Sequence, residues 1–189
     1  MYSIAIPSHR FITRLVLPLL FLLQACSTMN TVNEGADSKL MLRGHDPVSY
    51  FSGAKPALGS AEFKTAHQGA TYRFANAANR DLFLKAPDKY APQYGGFCAN
   101  GATYAMKWGG EADNYEIYND RLFIFGGQKS HDYWTMDKAK NVEYADGYWK
   151  NEMKDSSARL QTWKRLVFRV PHYKSGKELE AEWQTKKKS

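Results

Sequence analysis

The chain has 189 residues, 43% of them hydrophobic and 14% aromatic, and a formal charge of +7. That apolar content excludes a polar chain that never folds, and two cysteines exclude a disulfide-stapled scaffold. Residues 26–149 hold 13 basic and 14 acidic residues, whereas residues 150–189 hold 11 and 5, so the positive balance belongs to the C-terminal segment. Without interleaved stacking residues, that pattern does not point to nucleic acid.

The first segment reads as an export leader. Arg10 and Arg14 precede the apolar run Leu15 to Leu23, and Ala25 gives a small residue before the cut. The run is shorter than the roughly 20 residues needed to span a bilayer. Its end, Leu23-Gln24-Ala25-Cys26, resembles a bacterial lipobox, which implies that Cys26 is acylated and becomes the first residue of the mature protein. The alternative is an ordinary cleaved leader with an incidental cysteine. Ser27 stands where a lipoprotein retained in the inner membrane more often carries aspartate. The expected location is therefore the bacterial cell envelope, on the outer membrane and facing the periplasm, with the membrane as partner through the acyl chains.

Four segments are expected: the leader 1–25, a tether 26–40, a folded domain 41–153 and a basic extension 154–189. Residues 27–40 are rich in Ser, Thr, Asn and Asp and show little apolar periodicity, as a linker does. Gly44 to Phe51 reads as a turn leading into a short strand, with Pro47 biasing Asp46 toward an extended backbone. Ser60 is positioned to cap a helix over 61–67. Gly69 to Ala75 alternates as a strand, with Tyr72 and Phe74 on one face. Asn76 caps a helix over 77–85, and Pro87 follows its end. Tyr115–Tyr118 and Leu122–Phe125 flank Asn119-Asp120 as a hairpin. Residues 130–153 read as one helix or two. Leu166 to Val170 reads as an edge strand, and Gly176 to Trp183 as a short helix. The fold class expected is α+β: a small single domain with short antiparallel hairpins packed on short helices, plus the basic extension.

Four blocks then carry a resemblance. They are Gly44-His45-Asp46-Pro47-Val48-Ser49-Tyr50-Phe51, Gly69 to Ala75, Asn79 to Leu84 with Pro87 to Tyr90, and Tyr94-Gly95-Gly96-Phe97-Cys98-Ala99. In order and spacing they resemble the secreted or lipoprotein branch of the YHS domain family. The resemblance implies a small α+β domain, often metal-binding and found near copper-handling proteins. Metal-binding members carry cysteine after the Asp-Pro-Val run, after the Tyr-x-Phe strand and four residues later. Here those positions are Ser49, Ala75 and Asn79, which cannot replace the soft thiolates that select Cu(I) or Zn(II).

With Cys26 acylated, Cys98 is the remaining thiol. It follows two glycines, so it is a candidate metal ligand, a reactive thiol or a small core residue. His45, beside Asp46, is a candidate ligand or half of an acid–base pair. His67 is the third candidate, and the expected metal set is Cys98, His45 and His67, for copper or zinc. His131 and His172 are expected at the surface. The aromatics Tyr72, Phe74, Tyr90, Tyr94, Tyr115, Tyr118 and Trp134 either line a ligand groove or fill the core. None of the glycine pairs is followed directly by a phosphate-loop Lys-Ser/Thr, and no lipase-type Gly-x-Ser-x-Gly occurs.

The function expected is a non-enzymatic, membrane-tethered module that binds a transition metal or another small ligand. The alternatives are a metal-free envelope scaffold, with an acidic partner held by the basic extension, and a thiol enzyme using Cys98.

Overall fold

The structure is a computed structural model that describes residues 27–188. The leader 1–25 and the lipidation candidate Cys26 lie outside the described residues. The fold is α+β, with two small sheets and seven α-helices among the described residues.

Strands β1 (Thr31–Glu34) and β2 (Asp37–Met41) form a hairpin, so the segment expected to be a linker is folded. Its polar side chains hid this, because the ladder is built from backbone groups while Leu40 and Met41 carry the burial. Strands β3 (Ser60–His67) and β4 (Ala70–Phe74) form a second hairpin. The helix expected over 61–67 is therefore a strand. Phe63, Thr65 and His67 are half-buried, while Glu62, Lys64 and Ala66 face solvent, a period of two. β2 pairs parallel with β4, giving a mixed four-stranded sheet in the order β1-β2-β4-β3. The Asp37 carboxylate ties that sheet together, accepting from Lys64 Nζ at 2.7 Å and Arg73 Nε at 2.8 Å.

No strand forms over Gly44–Phe51. Two short 3₁₀ turns, Leu42–Gly44 and Ser49–Ser52, flank a single bridge from His45 to Leu58. Helix α1 (Ala77–Lys85) has its expected cap, the Asn76 side chain accepting from Asn79 N–H at 2.9 Å. Helices α2 (Pro87–Tyr90) and α3 (Ala99–Thr103) are short.

The second sheet is the expected hairpin, β5 (Glu111–Tyr118) and β6 (Arg121–Phe125), with Asn119 and Asp120 both at positive φ in its turn. β6 divides the molecule. Leu122 and Ile124 join a core with Tyr50, Tyr72, Phe74 and Phe83, whereas Phe123 and Phe125 join another with Met106, Trp134 and Met153. A strand with both faces buried reads as a continuous apolar run, as Leu122–Phe125 does.

The long helical region is two helices, α4 (Gln128–Thr135) and α5 (Lys138–Tyr148), followed by a π turn over Trp149–Met153. The C-terminal extension is also folded onto the body. Helix α6 (Ala158–Val167) replaces the expected edge strand, and α7 (Gly176–Lys186) begins on a Ser175–Glu178 capping box. Val170 and Leu179 are buried in the Trp134 core, and Gln161 donates to the buried Ala105 carbonyl at 3.0 Å.

Candidate functional site

Ser49, Ala75 and Asn79 meet in space around Asp46. This carboxylate is fully buried. It accepts from Val48 N–H at 2.9 Å, from Ala75 N–H at 2.9 Å and from the Asn79 side-chain amide at 2.6 Å. The Ser49 hydroxyl donates to the Asp46 carbonyl at 2.7 Å and accepts from Ala57 N–H at 2.9 Å. Ser49, Ala75 and Asn79 thus form a hydrogen-bonded lock joining the 3₁₀ turn, β4 and α1. A buried carboxylate persists only when so satisfied.

The expected metal set does not fit copper or zinc. Among the described residues, no group of three or more His, Cys, Asp or Glu side chains is placed to hold a metal ion. Cys98 is 1% exposed and its sulfur packs near Gly126, while its backbone bridges to Ile124. His45 Nδ1 pairs with the Leu42 carbonyl at 3.0 Å, and its Nε2 lies 3.9 Å from Asp113. His67 Nε2 lies 3.3 Å from Asp88, with its ring edge-on to Phe83. Cys98 and His45 are engaged in structural contacts, whereas His67 Nε2 is buried within ion-pair distance of Asp88 without a hydrogen bond.

Two other histidines are less open than expected. His131 Nε2 pairs with Glu116 at 2.6 Å, and its ring stacks on Phe125. His172 stacks on Tyr144 with ring centres 3.7 Å apart, and Nε2 donates to the Thr103 carbonyl at 2.9 Å.

One opening is a cleft of about 460 Å³ between the β3–β4 hairpin, the turn after α2 and the π turn. Tyr72, Asp88, Tyr94, Trp149 and Met29 line it. Its floor needs glycine: Gly95 is left-handed (φ 60°), and a Cβ there would lie 3.2 Å from the Trp149 ring. Asn30 fixes this segment, its backbone N–H donating to the Gly95 carbonyl at 2.8 Å and its side chain to Gly96 and Gly110. The Tyr94 hydroxyl donates to Asp146, which also takes Arg121.

Tyr72 differs from Tyr94. Its hydroxyl is buried and has no hydrogen-bond partner. Burial and the nearby Asp88 charge both push this phenol above its ordinary range, so it stays protonated as a donor. The sequence placed Tyr72 in an aromatic set but gave no sign that its hydroxyl would be orphaned.

A second residue near the cleft went unnoticed in the sequence. Lys107 is 4% exposed, and its ammonium donates to the Thr28 carbonyl at 3.0 Å and the Ser156 carbonyl at 2.7 Å. It lies over the rings of Phe97 and Trp149. Burial lowers it to about 8, against a smaller opposing pull from Asp155.

No known protein family, no curated protein and no solved structure matches the chain.

Proposed function

We propose that this chain is a non-enzymatic, lipid-anchored envelope protein that binds a small polar ligand in the cleft beside Tyr72. The orphaned, buried Tyr72 hydroxyl carries this reading, because such a group costs free energy unless an acceptor reaches it. The wall offers that acceptor a donor, a flat surface in Trp149 and charged rim groups in Asp88, Lys154 and Asp155. The leader residues and the lipobox-like Leu23–Cys26 support the anchor and the periplasmic face of the outer membrane. The YHS resemblance supports a ligand-binding module. A copper or zinc ion is not part of the proposal, since the side chains present do not suit one. An acidic partner held by the basic extension is less favoured, because Lys164 and Arg165 are taken by Glu152 and Lys174 by Glu182.

Native mass spectrometry of protein extracted from membranes tests the reading. A bound small molecule is expected, lost in Tyr72→Phe. A ligand-free mass, together with unmoved Tyr72 and Trp149 NMR signals on adding the small-molecule fraction of the envelope, would overturn it.

A further inference from the structure

Helix α6 is inside out. Three of its polar side chains face the protein: Gln161 is buried on Ala105, Thr162 Oγ1 accepts from Lys107 N–H at 3.1 Å, and Arg165 pairs with Glu152. Its apolar side chains face solvent. Leu160 is 67% exposed, Trp163 63%, Leu166 51%, Val167 54% and the following Phe168 66%. Positions 160, 163 and 167 follow the spacing i, i+3, i+7, so they form one continuous stripe. Arg159 and Arg169 are exposed at the two ends of this stripe, and Lys164 is half-exposed beside it. A tryptophan-bearing apolar stripe rimmed by cations matches a helix lying flat in a lipid surface. Among the described residues no helix is long and apolar enough to cross a membrane.

The segment that begins at Ser27 packs against the start of this helix. Ala158 N–H, in the first turn of α6, donates to the Ser27 carbonyl at 3.0 Å. Ser27 is the residue next to Cys26. Ser27 is thus held beside the start of the apolar stripe. Lys107 adds a second tie, holding Thr28 and Ser156 together.

We propose that α6 and Phe168 form a membrane-docking face that lies in the anionic surface of the bilayer holding the acyl anchor. In its geometry this deepens the anchored reading above and rests on it for the identity of the bilayer. The docked protein does not swing on a tether. One face is held at the headgroups, and the Tyr72 cleft, whose wall includes Thr28 and Met29, stands close to that surface.

The test uses the processed, full mature protein in vesicles of phosphatidylethanolamine and phosphatidylglycerol. Cys98 is buried, so Trp163→Cys, Leu166→Cys and, as a reference, Asp113→Cys can each be labelled with an environment-sensitive fluorophore. Quenchers carried on the lipid chains are expected to quench positions 163 and 166 about threefold more than position 113, with a blue-shifted emission. Equal quenching at all three positions in protein whose mass shows acylation overturns the docking face and leaves the anchor intact. An unacylated mass overturns the anchor; the docking face then stands if added vesicles still protect 163 and 166, and falls if they do not. Protection that appears without vesicles, in a protein dimer, assigns the stripe to a second copy and overturns the proposal.

Discussion

The Asn79 side-chain amide lies 2.6 Å from the carboxylate of Asp46, a residue with no solvent exposure. Together with the backbone N–H of Ala75, this contact makes a structural joint around a buried carboxylate. Asp46 fixes the 3₁₀ turn to β4 and α1, three pieces that no other named strand pairing connects.

Removing the acceptor leaves three donors without their partner beside a buried site. Asp46→Ala should cost about 3–5 kcal/mol, and Asn79→Ala, which removes a single donor, about 1–3 kcal/mol. Urea unfolding of the two variants measures both. If the joint is metal-independent, the losses are the same with and without a chelator; a chelator that destabilised only the parent protein would contradict the structural role.

Much of this fold was legible in the sequence, and the failures have physical causes. Asn76, Asn119-Asp120 and the run Leu122–Phe125 are local signals, and local chemistry decided those elements. The 61–67 segment was misread because Ser60 and Glu62 look like a helix start. The pairing of Ala66 with Thr71 and His67 with Ala70 decided it instead, and that pairing depends on a turn at Gln68-Gly69. Leu166 to Val170 looked like an edge strand from its composition alone. Read with Leu160 and Trp163, the same residues already show helical spacing. The candidate site was less legible. No sequence pattern reports that the Tyr72 hydroxyl lacks a partner, or that Lys107 sits beneath the residues that follow Cys26.

Tyr72→Phe separates stability from binding. The hydroxyl makes no hydrogen bond in the native protein but is solvated in the unfolded chain. Its removal should therefore stabilise the ligand-free protein by about 1 kcal/mol, seen as a higher Tm. The same change should weaken ligand binding. A variant that is clearly less stable without ligand would show that the hydroxyl is already satisfied.

The C-terminal segment is predicted to be indispensable for folding. Truncation after Met153 removes Val170 and Leu179 from the Trp134 core, along with Gln161 and the stacked His172. Leu179→Ala alone should cost about 2–4 kcal/mol, and the full truncation should abolish cooperative unfolding. Near-ultraviolet circular dichroism reads this directly, since the loss exposes Trp134. A truncated protein with an unchanged spectrum would return residues 154–189 to the status of an appended tail.

Lys107 should give stability a distinctive pH profile. Its ammonium titrates near 8 in the native protein, against 10.5 for an unburied lysine. Between these values the unfolded chain holds a proton that the native protein has released, so stability rises with pH across that window. Below pH 8 both states are protonated, and the full penalty of the buried charge is present. The buried phenols of Tyr50, Tyr72 and Tyr94 act in the opposite sense, since each is raised by burial. Above about pH 10 the unfolded chain ionises its tyrosines first, and stability falls. The parent protein should therefore be most stable near pH 9–10. Lys107→Met removes the titrating group and leaves the Thr28 and Ser156 carbonyls without this donor. Relative to that variant, the parent should gain up to about 3 kcal/mol between pH 8 and 10.5. Denaturant unfolding of both proteins at pH 7, 8, 9 and 10 measures the difference. A gap that stays constant over this range would mean that the ammonium is not desolvated, and the tie between Thr28 and Ser156 would then be an ordinary surface contact.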